Sequence, residues 1–104
     1  MTEPAAGPSG PGTVVMDLGG DIGALILYTP AYMDGREIEI SRDGDAGGRR
    51  THSQVRQRHM AIATRYAAVY PGLRAGTYTI WSNESPAATA VVTGGQVTSF
   101  SWPA

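Results

Sequence analysis

The residues best able to do chemistry are two histidines, a pair of carboxylates flanking a glycine, and a group of arginines. His52 and His59 are the only imidazoles. They lie seven positions apart, so a regular strand would point them to opposite faces, which argues against a shared metal. Asp43-Gly44-Asp45 alternates carboxylates as the start of a calcium loop does. Ala46, Gly47, Gly48 and Arg49 follow with no closing acid, so the segment reads as a polar hairpin tip. Arg49, Arg50, Arg56 and Arg58 could contact phosphates, but no aromatic residues interleave with them and acidic partners lie upstream, so nucleic acid is not expected.

Nucleophilic chemistry has equally little to draw on. The chain has no cysteine, no Gly-x-Ser-x-Gly elbow and no Walker or dinucleotide fingerprint. Glu37 and Glu39 are expected to face arginines, which suits salt bridging better than acid catalysis. No catalytic residue, cofactor or metal site is expected. What remains is recognition: Trp81 alternates away from Tyr78 and Ile80 and is expected on an outer face, where an indole can anchor a partner.

Those residues must be held by short strands. The 104-residue chain carries a net charge of -1, and all eight of its basic residues are arginine. Residues 1–12 contain three prolines and three glycines with almost nothing to bury, which predicts a disordered tail before one domain over residues 13–104. Apolar residues then recur with period two, or in short β-branched runs, between Gly, Pro and Asp breakers. Strands are predicted over residues 14–18, 22–29, 36–41, 51–59, 65–70, 77–82, 88–93 and 96–102. Residues 22–29 (IGALILYT) are apolar on both faces and read as a central strand. Gly94-Gly95 reads as a two-residue hairpin turn, and residues 59–64 have room for one helical turn. The pattern is that of an all-β, antiparallel two-sheet sandwich of seven or eight short strands.

Charge proposes a register for one ribbon. With Gly47-Gly48 at the tip, Ile40 faces Val55, while Glu39 meets Arg56, Glu37 meets Arg58, Asp45 meets Arg50 and Asp43 meets His52. Residues 36–59 would then form a long charged hairpin.

The stretch YAAVYPGLRAGTYTI, from Tyr66 to Ile80, resembles the penultimate hairpin of transthyretin-like sandwiches, which include collagen-adhesin B-type and carboxypeptidase regulatory-like domains. The resemblance implies a Pro71-Gly72 turn after an aromatic strand, with Leu73 and Tyr78 closing the end of the core. An immunoglobulin-like sandwich fits the same strand count. The resemblance carries over neither of two family chemistries: there is no Lys for an isopeptide bond, and the C-terminus lacks the Tyr-Arg-Gly-Ser ending of hydroxyisourate hydrolases. Residues 20–41 also resemble short actinobacterial proteins sometimes labelled phospholipase, although nothing here supplies that chemistry.

These observations predict a non-catalytic protein-binding or accessory domain that uses Trp81, Arg56, Arg58, Glu37 and Glu39 to hold a protein partner. A carbohydrate-binding module built on Trp81 and Trp102 is one alternative. A small hydrolase using His52 or His59 is another. The arginine-only, Ala- and Gly-rich composition points to a GC-rich, actinobacterial source. The absence of a signal-like leader and of a long apolar run predicts a cytoplasmic protein without membrane contact. Exposed edge strands would permit a homodimer.

Overall fold

A computed structural model describes residues 18–45, 48–59 and 63–103. The expectations for residues 1–12 and most of the strand over 14–18 fall outside them, as does the middle of the helical turn expected over 59–64. Eight strands follow: β1 (Ile22–Thr29), β2 (Glu37–Arg42), β3 (Arg50–Gln54), β4 (Arg56–His59), β5 (Thr64–Arg74), β6 (Gly76–Ser82), β7 (Ser85–Val92) and β8 (Val97–Ser101), with a short 3₁₀ turn at Ala31–Met33. They form two four-stranded sheets in the orders β4-β5-β1-β8 and β3-β2-β6-β7, called here the β1 sheet and the β2 sheet. The architecture is the predicted all-β sandwich.

Strand alternation builds one core between the sheets. Leu25 and Leu27 of β1, Ile38 and Ile40 of β2, Ala68, Tyr70 and Leu73 of β5, Tyr78 and Ile80 of β6, and Ala90 and Val92 of β7 all bury against one another. Fully burying an aliphatic side chain of this size contributes about 1.5–3 kcal/mol. β1 lies between β5 and β8, as its two-faced apolarity predicts. Leu73 and Tyr78 both belong to this core. Tyr70 ties the sheets together: its buried hydroxyl donates to the Ile38 carbonyl at 2.6 Å.

Three local expectations are corrected. The charged hairpin has a different register, with Glu37 opposite Gln54, Glu39 opposite His52, and Ile40 opposite Thr51 rather than Val55. Arg56 and Arg58 pair instead with Ala67 and Arg65 of β5 in the other sheet. The cause is Val55, the one aliphatic residue in a polar stretch. It is 0% exposed, and the strand crosses between sheets there so that Val55 drops into the core. Apolar burial outweighs the few tenths of a kcal/mol available from each surface charge pair.

At the crossing Val55 keeps both of its backbone hydrogen bonds. Val55 donates its N–H to the Arg36 carbonyl at 2.8 Å and accepts from the Gly35 N–H at 2.9 Å. On β5, Val69 faces Ile26 of β1 on one side but lies beyond the last β4 pair, Arg56 with Ala67, on the other, and Ser53 fills that place. The Ser53 hydroxyl donates to the Val69 carbonyl at 2.8 Å and accepts from the Val69 N–H at 3.2 Å.

Pro71-Gly72 is not a turn. β5 runs through it to Arg74 and then crosses to β6 in the other sheet. Three steps along β5, from Tyr70 to Leu73, lie opposite two steps along β1, from Leu25 to Gly23. The extra residue makes a bulge, where a proline lacking an N–H is tolerated. Gly94-Gly95 likewise joins two sheets rather than two arms of a hairpin. It delivers β8 beside the start of β1, so β8 runs parallel to β1, the one parallel pair among the described strands. A Cβ on Gly94 would overlap the Gly20 carbonyl, so the close approach of this crossing to the start of β1 demands glycine.

Candidate functional site

The outer face of the β2 sheet gathers the most organised polar cluster. On β2, inward Ile38 and Ile40 leave Glu37, Glu39 and Ser41 outward. The observed register sets Gln54, His52 and Arg50 of β3 opposite those three residues. On the other side, β6 brings Trp81 to the same face, at a register shift in its pairing with β7.

The cluster is held by specific contacts. The Arg50 guanidinium lies over the Trp81 ring, 3.8 Å from its centroid. It also donates to Glu39 Oε1 at 2.8 Å and to the Asn83 carbonyl at 3.2 Å. Trp81 Nε1 donates to Ser41 Oγ at 2.9 Å. Ser41 is therefore buried although it points outward. The guanidinium–indole contact stabilises the arrangement by about 0.5–1 kcal/mol, with a smaller increment from the partly exposed Glu39 pair. Asn83 takes φ +57° in the turn that follows β6 and so directs its carbonyl toward Arg50.

Beside this stack opens a cleft of about 280 Å³, lined by Glu37, Glu39, Trp81, Asn83 and Glu84. Arg50 neutralises Glu39, whereas Glu37 and Glu84 have no ion-pair partner among the described residues. The cleft is thus acidic, with an immobilised indole on one wall. Trp81 also meets Trp102 in a second recess, of only 50 Å³.

The structure brings Glu37, Glu39 and Trp81 together and leaves Arg56 and Arg58 elsewhere. The two arginines lie on β4, at the edge of the β1 sheet. Arg58 sits directly opposite Arg65, which stacks over Tyr28 at 4.0 Å instead of meeting it. Burial, and then the charge of Arg56, lower the Arg58 pKa, and its Nε is buried without a hydrogen-bond partner. The four-arginine group is divided between two sheets, because Arg50 lies on β3 while Arg56 and Arg58 lie on β4.

The remaining candidates find ordinary partners. Asp45 pairs with Arg42 at 2.9 Å, and Asp43 accepts from the Thr79 hydroxyl at 2.7 Å. Among the described residues no three His, Asp or Glu side chains are grouped to hold a metal. His52 belongs to the β2 sheet and His59 to the β1 sheet, where it lies 3.3 Å from the Thr64 hydroxyl. Sequence reasoning missed Arg50 as the partner of Trp81. That contact joins positions 31 apart in the chain, and no local pattern announces it.

Comparison of the chain with known protein families, curated proteins and solved structures finds no match.

Proposed function

We propose that this is a non-catalytic protein-binding domain, and that its Trp81 cleft receives a basic side chain from the partner. The observation that carries the reading is the immobilised indole beside two carboxylates, Glu37 and Glu84, that have no cationic partner among the described residues. An aromatic ring flanked by acids favours an ammonium or guanidinium group, and Arg50 already satisfies that preference on one face of the ring. The cleft is polar, open and at the small end of the range for ligand pockets, dimensions that admit one side chain of a partner protein.

A carbohydrate module has less support. Arg50 covers one face of Trp81, and the recess shared with Trp102 is the smaller of the two. The transthyretin-like or immunoglobulin-like reading belongs to this proposal and rests on the two four-stranded sheets, since the residues that suggested it form a bulged strand and a crossing.

A displayed random-peptide library panned on the domain tests the reading. Enriched sequences should be anchored by Arg or Lys, and Trp81→Ala or paired Glu37→Gln and Glu84→Gln should lose them. Neutral or acidic binders indifferent to these changes would remove the proposal.

A further inference from the structure

Among the described strands the sandwich has four edges, β3, β4, β7 and β8, and they are protected very unequally. β3 and β4 carry Arg50, His52, Arg56, Arg58 and His59. β7 and β8 carry no charge, and no charged residue occurs anywhere from Ser85 to the C-terminus. Among the described strands, β7 has a neighbour only in β6 and β8 only in β1, so each presents one unpaired row of backbone donors and acceptors. Of the three large apolar residues that are well exposed among the described residues, two lie on these edges: Val91 of β7 at 59% and Val97 of β8 at 45%. Charged side chains are the usual guard against edge-to-edge pairing, and this flank has none.

We infer that β7 is a self-association edge whose occupant is the β7 strand of a second copy of this chain, paired antiparallel about a twofold axis. Charge selects this occupant. An uncharged strand meets its own copy without like-charge contacts, whereas β4 against β4 would set arginine near arginine. Length selects β7 over β8, eight residues against five. The only proline in β7 is Pro86, near its start, so the remainder of the strand can donate to a new ladder. The product is a continuous eight-stranded sheet across two copies. Its twofold is perpendicular to the sheet, so both Trp81 faces open on the same side. The inference stands independently of what the Trp81 cleft binds.

Sedimentation equilibrium on the full chain, from micromolar to millimolar concentration, tests it. The expected result is a reversible monomer–dimer equilibrium. Val91→Lys should shift it at least tenfold toward monomer, and Arg56→Ala should leave it unchanged. Unaltered thermal unfolding would show that Val91→Lys still folds. Amide exchange adds a second readout, because residues 87–92 should gain protection as concentration rises. A chain that stays monomeric to millimolar concentration overturns the inference, as does a dimer indifferent to Val91→Lys. A dimer lost with Val97→Lys alone would assign the contact to β8. One that appears only after residues 1–17 are removed would assign β7 to the chain's own leading segment. Either result rejects the edge as proposed.

Discussion

The two flanks of this sandwich solve the same problem in opposite ways. On one flank a single stretch of chain supplies β3 to one sheet and β4 to the other, and Val55 plugs the gap between them. That flank is densely charged outside, and inside it Val55 and Val69 keep their backbone hydrogen bonds. On the other flank β7 and β8 are joined by a glycine turn that also crosses between the sheets, yet neither edge carries a charge. The difference shows that closing a sandwich and protecting its edges are separate tasks. The first needs an apolar residue at the crossing, and the second needs charge on the strands.

Substitutions can break this contrast, beginning with the largest expected effect. Val55→Ala should destabilise the fold by about 2–3 kcal/mol, through lost transfer energy and a residual cavity. Val55→Asp should prevent folding. The matched change Val91→Ala on the open flank should stay within ~0.5 kcal/mol. Urea unfolding of the three variants measures the comparison directly, and equal costs for Val55→Ala and Val91→Ala would erase it.

Ser53→Ala comes next, because it strips Val69 of both hydrogen-bond partners supplied by the hydroxyl. A loss of about 1–3 kcal/mol is expected, with faster exchange of the Val69 amide. An unaltered exchange rate would show that the hydroxyl is not holding the crossing.

A third test uses pH. Burial raises the Tyr70 pKa, and burial is also the largest cause of the raised Tyr78 value. Each phenol therefore holds its proton more tightly in the folded chain than in the unfolded one. Their contribution is complete below the ordinary tyrosine value of about 10 and declines as pH rises through the folded values. Stability should fall above about pH 10, and Tyr70→Phe should reduce that slope. It should also cost about 1 kcal/mol at neutral pH through the lost bond to Ile38. An identical alkaline slope in the variant would sink this assignment.

Smaller still, Arg50→Ala should cost about 0.5–1 kcal/mol and shift Trp81 emission to the red as the ring loses its cover. A Trp102→Phe background isolates that signal. The smallest stability effect belongs to Val91→Lys, within ~0.5 kcal/mol, although it should have the largest effect on self-association.

The legibility of each element follows from the range of the forces that set it. β1 was readable to the residue, because Gly19-Gly20-Asp21 and Pro30 bracket an apolar run. The outward position of Trp81 followed from alternation with Tyr78 and Ile80. The hairpin register did not follow, because four plausible charge pairs carried less free energy than one buried valine. The Pro71-Gly72 and Gly94-Gly95 signals each marked a backbone irregularity correctly, but neither stated which sheet the chain would enter next. Of the five proposed partner-binding residues, Glu37, Glu39 and Trp81 converge on one cleft, while Arg56 and Arg58 belong to the other sheet.

By itself, the sequence determined that this chain is built of short strands, which residues break them, and which faces of each strand are apolar, because those properties depend on neighbours one or two positions away. Tertiary structure alone decided that the polar ribbon divides at Val55, that Arg50 covers Trp81, and that the charge-free strands lie at edges. Each of those outcomes is a competition between distant segments for the same buried space, and only the assembled core settles which segment wins.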